Sequence, residues 1–212
     1  MKAIDDRQIG QMSNPADSII SHYERLALAF DADRRDGRWN ERPWHDRFVE
    51  GLPVGATVLD LGCGAGCPVA AHLHVHGHHV TGVDSSPTMI SLCRQRLPDH
   101  EWIVADMRGL ALARRFDGIL AWDNVFHLDH DHQRAIFAVF TAHARPGALL
   151  MFNTGDRHGE AIGEYRGDPL YSASLAPSEY RSLLDQAGFE IVDHAVNDVS
   201  AGGRTIWLCR AR

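Results

Sequence analysis

Hydrophobic and polar positions follow two different periods along most of this 212-residue chain. From residue 56 onward, short apolar runs typical of buried strands alternate with longer segments in which apolar positions recur every three or four residues. The runs that predict strands are residues 56–61, 79–84, 101–106, 116–122 and 147–154, and the helical segments are residues 68–76, 86–97 and 132–144. Ser86 is predicted as an N-cap, with Pro87 at the first helical position. This alternation predicts an α/β fold with a parallel sheet covered on both faces.

The two ends of the chain depart from this alternation. Residues 15–34 and 42–52 predict helices that carry aromatic side chains, so we interpret residues 1–52 as an N-terminal helical cap on a main domain of residues 53–212. Residues 177–188 predict a last helix, and the two apolar runs after it are joined so closely that they must form antiparallel strands. The polar, glycine-rich residues 155–176 are interpreted as an irregular functional loop.

Composition and charge exclude several classes of function. The chain has 28 acidic and 21 basic residues, a formal charge of −7, which disfavours a nucleic-acid partner. No apolar run reaches the roughly 18 residues that a membrane helix needs, and the first residues do not resemble a signal peptide, so we expect a cytoplasmic protein without a membrane partner. The four cysteines are expected to be reduced thiols.

The stretch "VLDLGCGAGCP", residues 58–68, carries the clearest chemical information. An apolar strand is followed by Gly62, Gly64 and Gly66 at alternate positions and then by a helix. Glycines at such a place let the backbone approach a ligand closely at a helix N-terminus, where main-chain N–H groups are free. A tight turn with a purely structural role is the alternative interpretation.

Two aspartates extend the pattern to neighbouring strands. Asp84 ends the second predicted strand, where a carboxylate can accept hydrogen bonds from ribose hydroxyls, and Asp106 ends the third, where it can accept a proton of an adenine amino group. Either aspartate alone is equally typical of a turn or a helix cap. Together with the glycine loop, they predict a nucleoside-binding rim at one edge of the sheet.

A dinucleotide is the first alternative ligand, because nicotinamide enzymes place glycines and an acid at similar positions. The glycine spacing here is G-x-G-x-G, however, whereas the dinucleotide fingerprint is G-x-G-x-x-G. Asp60, two residues before the first glycine, is poorly suited to a pyrophosphate and well suited to an ammonium group. The loop therefore favours a ligand that is cationic at one end.

These motifs resemble those of the class I S-adenosylmethionine-dependent methyltransferases, particularly small bacterial members that act on small molecules. The resemblance rests on "VLDLGCGAG", "GVDSSPTMI", "VADMRGL", "FDGILAWDNVFHL" and the closing pair of strands, and it covers roughly residues 45–211. It implies a Rossmann-like, seven-stranded sheet whose last strand is antiparallel. It also implies S-adenosylmethionine as cofactor, S-adenosylhomocysteine as product, in-line methyl transfer, and a small-molecule acceptor.

Residue by residue, the resemblance assigns a place along the cofactor to each matched position. Near the methionine part it places Asp60, Gly62, Cys63 and Gly64, with Tyr23 or Trp39 closing over that end. Along the nucleoside it places Asp84, Ser85, Met89, Asp106 and Met107, and near the sulfonium it places Ala121 and Trp122.

The acceptor side is less clearly marked. His127 would lie above the methyl group and is a candidate general base, with structural packing as the alternative. The candidate substrate-pocket residues are Asp123, His158, Glu160, Tyr165, Tyr171 and Arg204. The run "LDHDH" after His127 is explained by capping of the next helix, so no metal is expected. The chain is expected to act as a monomer or a homodimer.

Five histidines lie between positions 72 and 79. We predict that they occupy a solvated helix end at the opposite edge of the sheet from the cofactor rim. Two functions compete with methyl transfer on the same fold: a catalytically silent protein that binds the same cofactor, and an NAD(P)-dependent oxidoreductase.

Overall fold

The computed structural model describes residues 15–212, and one large sheet organises most of them. The strands are β1 (Thr57–Leu61), β2 (His79–Asp84), β3 (Glu101–Val104), β4 (Phe116–Ala121), β5 (Ala144–Thr154), β6 (Gly159–Tyr165), β7 (Asp168–Ser174), β8 (Phe189–Asp198) and β9 (Arg204–Ala211). The helices are α1 (Ser18–Asp36), α2 (Arg42–Glu50), α3 (Val69–Val75), α4 (Pro87–Arg96), α5 (His130–His143) and α6 (Pro177–Gln186).

Seven strands form the main sheet in the order β3-β2-β1-β4-β5-β9-β8. Strands β1 to β5 pair in parallel, and β9 pairs antiparallel with both β5 and β8. The prediction of a seven-stranded, Rossmann-like sheet with an antiparallel last strand is confirmed. Because β2 and β4 flank β1 on opposite sides, the order of the sheet reverses there, and a crevice forms at the carboxyl ends of these strands.

Side chains on successive strand positions point to opposite faces, and helices cover both. On one face, Leu150 and Phe152 of β5 pack with α5 and α6. On the other face, Leu149 and Met151 pack with α2, α3 and α4. Near-continuous apolar strands are what a sheet buried on both sides requires.

Helix α4 begins where the sequence predicts. The Ser86 hydroxyl accepts a hydrogen bond from the Met89 main-chain N–H at 3.1 Å, and Pro87 occupies the first turn. Ser86 also donates to the Glu24 carboxylate of α1 at 2.5 Å, and this bond attaches the N-terminal helix to the sheet domain.

The segment after β5 is a β-hairpin, so the prediction of an irregular loop over residues 155–176 is wrong. Strands β6 and β7 pair antiparallel around a two-residue turn at Arg166 and Gly167, whose φ angles are +52° and +85°. Two positive φ angles are the geometry of a tight hairpin turn. Most side chains of β6 are exposed, so the segment lacks the alternation of apolar and polar positions that would have identified it.

The N-terminal helices attach to this framework in two ways. Helix α2 is part of the core, since its Phe48 is completely buried. Helix α1 is linked to the hairpin by ion pairs, Arg25 with Asp168 at 2.6 Å and Asp33 with Arg166 at 2.7 Å. Residues 1–14 of the predicted N-terminal extension lie outside the described residues.

The histidine run is only partly solvated, which corrects the prediction for two of its members. His74, His76 and His79 are exposed, but His72 and His78 are buried. Helix α2 packs beside α3 and brings Asp46 to within 2.9 Å of the His72 Nε2 atom. Across residues 15–212, no set of three or more His, Cys, Asp or Glu side chains is arranged to hold a metal ion, and no helix is both long and apolar enough to cross a membrane.

Candidate cofactor and acceptor site

The glycine loop connects β1 to α3 and requires left-handed backbone at three positions. The φ angles of Gly62, Gly64 and Gly66 are +64°, +53° and +78°. A Cβ atom on Gly62 would lie 2.5 Å from the Asn124 side-chain nitrogen, so this position has no room for a side chain. The loop therefore presents bare main chain to the crevice between β1 and β4.

The two aspartates predicted at the rim lie beside this loop. Asp84 accepts hydrogen bonds from the main-chain N–H groups of Gly64 and Ser86, each at 2.9 Å. Burial raises the pKa of Asp84 although these bonds lower it. Asp106 accepts from the main-chain N–H of Arg108 at 2.9 Å and from its guanidinium at 2.8 Å. Burial alone would raise the pKa of Asp106, but the bonds from Arg108 hold it below the ordinary value.

Asp60 is the most unusual charged group of the site. It is 2% exposed, and its Oδ2 atom has no hydrogen-bond partner among the described residues. Burial, followed by the nearby charge of Asp84, raises the pKa of Asp60 to about 8. A buried carboxylate without a partner is costly, so it indicates a missing cationic or donor group at this end of the cavity.

A single cavity collects most of the predicted cofactor residues. Those that line it are Tyr23, Asp60, Gly62, Cys63, Gly64, Asp84, Ser85, Met89, Asp106, Met107 and Trp122. His127 and Asp123 line the same cavity. The carboxyl ends of β1, β2, β3 and β4 thus bring together residues from Asp60 to His127, and α1 adds Tyr23.

Two predicted cofactor residues lie elsewhere. Trp39 is not a lining residue, because its ring packs against His45 and His72 with ring centres 5.2 and 5.0 Å away. Ala121 is completely buried at the end of β4, where its side chain belongs to the apolar core. Neither residue lines the cavity, and their contacts with the cofactor stay a prediction.

His127 and Tyr23 form a hydrogen-bonded pair on the cavity wall. The Tyr23 hydroxyl lies 2.9 Å from the His127 Nε2 atom, and His127 Nδ1 lies 2.8 Å from the main-chain oxygen of Tyr171. A carbonyl oxygen only accepts hydrogen bonds, so Nδ1 carries the proton of the neutral ring and Nε2 accepts from Tyr23. Burial lowers the pKa of His127, although its bond to the Tyr171 carbonyl raises it, so the imidazole is neutral at pH 7.

Asp123 is held in a network of ion pairs rather than left free for a substrate. Its carboxylate accepts two hydrogen bonds from Arg204, both at 2.7 Å, and one from Asn153 at 2.9 Å. Burial alone would raise the pKa of Asp123, but the bonds and charge of Arg204 keep it below the ordinary value. Arg204 itself is outside the cavity lining and supports Asp123, so its place in the substrate pocket stays a prediction.

The candidate substrate residues of the hairpin segment also lie outside the cavity lining. Tyr165 donates its hydroxyl hydrogen bond to Asp33 at 2.6 Å, and the His158 ring stacks on His130 with ring centres 4.4 Å apart. Glu160 is exposed and lies 3.6 Å from His130. Tyr171 contributes its main-chain oxygen to His127, whereas its side chain packs with Ala16. These side chains therefore contact residues around the cavity rather than line it.

Several lining residues were not predicted from the sequence. Phe30 and Arg34 project from α1, and Asn124 follows β4. Arg34 lies 2.9 Å from Glu41. The Asn124 amide donates to the Leu61 and Trp122 carbonyls at 2.5 and 3.1 Å, while its own oxygen is buried and has no hydrogen-bond partner within residues 15–212. The polar "DN" directly after an apolar strand was the available signal for Asn124; nothing in the pattern of α1 distinguished Arg34.

Comparisons with known proteins agree with this geometry. Residues 58–147 match a family model described as a methyltransferase domain. The trans-aconitate 2-methyltransferase of Azoarcus sp. (strain BH72) is 41% identical over 110 residues, which are 51% of this chain and 43% of that protein. The ubiquinone biosynthesis O-methyltransferase of Xylella fastidiosa (strain 9a5c) is 28% identical over 95% of this chain and 91% of that protein.

Solved structures show the same fold. The magnesium protoporphyrin IX methyltransferase ChlM from Synechocystis PCC 6803, with bound S-adenosylmethionine, superposes with a TM-score of 0.72. That comparison covers 96% of this chain and 100% of the other at 18% sequence identity. The chain spans less than half of the length of the first curated relatives, 43% in each case.

Proposed function

The chain belongs to the class I S-adenosylmethionine-dependent methyltransferases, and we propose that it transfers a methyl group from S-adenosylmethionine to a small-molecule acceptor. The observation that carries this proposal is the buried Asp60 carboxylate, whose Oδ2 atom has no hydrogen-bond partner among the described residues and which lines the same cavity as the glycine loop, Asp84 and Asp106. Of the two candidate ligands, S-adenosylmethionine and a nicotinamide dinucleotide, only S-adenosylmethionine carries an amino-acid ammonium group that would supply that missing partner. A dinucleotide would place a pyrophosphate near the glycine loop and leave Asp60 unpaired.

The lining residues fit the cofactor along its whole length. Asp60 would receive its ammonium group, and the Arg34 guanidinium, which lines the same cavity, would pair with its carboxylate. Asp84 retains acceptor capacity for the ribose hydroxyls beyond its two main-chain bonds. Asp106, beside Met107, would accept from the adenine amino group.

The chemistry that the cofactor supplies is an electrophilic methyl group on a sulfonium, which leaves as a neutral thioether. The protein mainly has to align the acceptor with that group and exclude water. Helix α1 contributes Tyr23 and Phe30 to the cavity wall, so we propose that residues 1–52 serve as a cap and residues 53–212 as the cofactor-binding domain.

Thermal unfolding tests cofactor choice. We expect S-adenosylhomocysteine to raise the melting temperature of the protein, and NAD and NADP to leave it unchanged. Asp60→Asn is expected to weaken S-adenosylhomocysteine binding by about tenfold, since one charge-assisted hydrogen bond is lost. Asp185→Asn is the matched control, because Asp185 is exposed and pairs with Arg212 on the surface. Stabilisation by NAD instead would overturn the proposal.

Turnover distinguishes an enzyme from a silent binding protein. A panel of small oxygen, nitrogen, sulfur and carbon nucleophiles is incubated with S-adenosylmethionine and analysed for products that are heavier by one methyl group. Formation of S-adenosylhomocysteine together with such a product supports the proposed activity. Binding without any methylated product would favour the silent protein.

We also propose a cytoplasmic location and a monomeric or homodimeric state. The formal charge of −7 supports a protein that does not bind nucleic acid. Cell fractionation tests the location, and light scattering after gel filtration measures the number of subunits; a membrane-bound or larger oligomeric protein would contradict the proposal.

A further inference from the structure

The Tyr23–His127 pair has a defined direction of hydrogen bonding. The main-chain oxygen of Tyr171 fixes the proton of His127 on Nδ1, so Nε2 presents a lone pair to the Tyr23 hydroxyl at 2.9 Å. The Tyr23 oxygen keeps lone pairs of its own and belongs to a residue that lines the cavity. A proton taken up by this oxygen from the cavity can therefore be passed on to the imidazole.

The groups that face the pair keep it in this state. The charged and titratable residues around it are His22, Arg34, Asp84, Asp123 and Tyr165. Burial, followed by the charge of Asp123, raises the pKa of Tyr23, so its phenol is protonated at neutral pH. The nearby Asp123 carboxylate also favours the positive charge that His127 gains when it accepts a proton.

Part of the cavity wall is apolar. Ile19 and Ile20 of α1 line it, together with Leu128, which follows His127. The Phe30 ring packs edge-on against Tyr23, with ring centres 5.2 Å apart. Such a wall accommodates the apolar body of an acceptor and offers little to a strongly hydrated one.

The arginines that line the cavity are already paired. Arg34 lies 2.9 Å from Glu41, and Arg108 lies 2.6 Å from Asp106 and 2.9 Å from Asp17. Arg34 and Arg108 are the two arginines among the described lining residues, and Arg34 is the one proposed above to pair with the cofactor carboxylate. A carboxylate acceptor would therefore enter the apolar part of the cavity without a cation to offset its desolvation.

Resting on the methyltransferase activity proposed above, we propose that Tyr23 and His127 form a proton relay that deprotonates the acceptor, a small apolar molecule with an acidic hydroxyl such as a phenol or an enol. The acceptor hydroxyl gives its proton to the Tyr23 oxygen as Tyr23 gives its own proton to His127 Nε2. The electron pair of the acceptor oxygen forms the new bond to the methyl carbon, and sulfur keeps the pair of the broken carbon–sulfur bond. The products are a methyl ether, a neutral thioether and an imidazolium on His127.

Kinetics of Tyr23→Phe and His127→Gln test the relay. With a phenolic acceptor, each variant is expected to lose about 10²- to 10⁴-fold in kcat, the usual contribution of general base catalysis. S-adenosylhomocysteine affinity is expected to stay nearly unchanged in His127→Gln, and Tyr23→Phe keeps the ring that is predicted to close over the cofactor, so any change in its affinity is measured separately from kcat. The double variant is expected to lose little more than either single one, because the two groups act as a unit. The loss in kcat should shrink as pH rises toward the pKa of the acceptor. His79→Gln is the control, since His79 is exposed at the opposite edge of the sheet.

A second measurement does not depend on turnover. Nitrogen-15 NMR of the wild-type protein with S-adenosylhomocysteine bound is expected to show His127 neutral at pH 7 and protonated on Nδ1. A proton on Nε2, or losses in kcat that multiply in the double variant, would overturn the relay. Methylation of carboxylic acids or amines with no reaction of phenols and enols would overturn the acceptor class while leaving the methyltransferase activity intact. Failure to bind S-adenosylhomocysteine would instead contradict the proposed function.

Discussion

Gly62 occupies a position with no space for a side chain, and Gly62→Ala probes the packing beneath the glycine loop. Its φ angle is +64°, and an added Cβ would lie 2.5 Å from Asn124 Nδ2 and 3.0 Å from two further atoms of that side chain. The Asn124 amide cannot withdraw freely, since it donates to the Leu61 carbonyl at 2.5 Å and to the Trp122 carbonyl at 3.1 Å. The substitution therefore either compresses this contact or breaks those bonds.

Gly55→Ala separates the contact from the backbone effect. Gly55 has a similar φ angle of +69°, and an added Cβ there would meet nothing within 4 Å. Both substitutions force a left-handed backbone onto alanine, at about 1–2 kcal/mol each. Only Gly62→Ala also overpacks a buried contact, which typically adds about 1–3 kcal/mol. We therefore expect the free energy of unfolding of Gly62→Ala to be about 1–3 kcal/mol lower than that of Gly55→Ala.

Urea unfolding followed by circular dichroism measures the difference by linear extrapolation in the absence of ligand. In the same samples, Gly62→Ala is expected to lose the melting-temperature increase caused by S-adenosylhomocysteine, whereas Gly55→Ala keeps it. Equal destabilisation of the two variants would refute the argument, because it would show that Asn124 yields to the new methyl group without cost.

Two further predictions concern the charged groups of the site. Arg204→Met leaves Asp123 without its bidentate partner and is expected to lower the free energy of unfolding by about 2–4 kcal/mol. Adding Asp123→Asn should restore part of this loss. A loss below about 1 kcal/mol in urea unfolding, which is typical of a surface ion pair, would contradict the prediction. Asp60 has a pKa raised from 3.8 to about 8, so its contribution to stability is complete at low pH and is lost as pH rises through that interval. Without ligand, wild type should therefore lose more stability than Asp60→Asn between pH 5 and pH 8 in urea titrations, and parallel pH dependences would contradict the assignment.

The sheet could be predicted because each of its strands combines an apolar run with a clear turn at its end. Both ends of β2 were predicted correctly, and the Ser86 cap was predicted because a serine directly precedes a proline at the start of a helical segment. The glycine loop and its aspartates were predictable for a related reason. Parallel strands bring their carboxyl ends to one edge of the sheet, so residues that directly follow such strands in the sequence lie close together in the structure.

The acceptor side was harder to predict because it depends on contacts across long sequence separations. Whether Tyr23 lies over the cavity is decided by the angle of α1, which Ser86 and Glu24 help to set across 62 positions. Tyr165 and Glu160 lie on β6, outside the cavity lining, and the polar composition of β6 gave no sign of its pairing with β7. The position of Trp39 outside the cavity lining could not be predicted, because its partners His45 and His72 come from two separate helices.

The contact between His127 and the hairpin is made by main chain, and this has an evolutionary consequence. Since the Tyr171 carbonyl oxygen receives the Nδ1 proton, any amino acid at position 171 offers the same acceptor as long as the hairpin keeps its register. The exposed side chains of β6 are thus free to diverge while the imidazole keeps its tautomer. An insertion of one residue before β7 would be more damaging than many substitutions within it, so hairpins exchanged between relatives should be matched in length before they are matched in sequence.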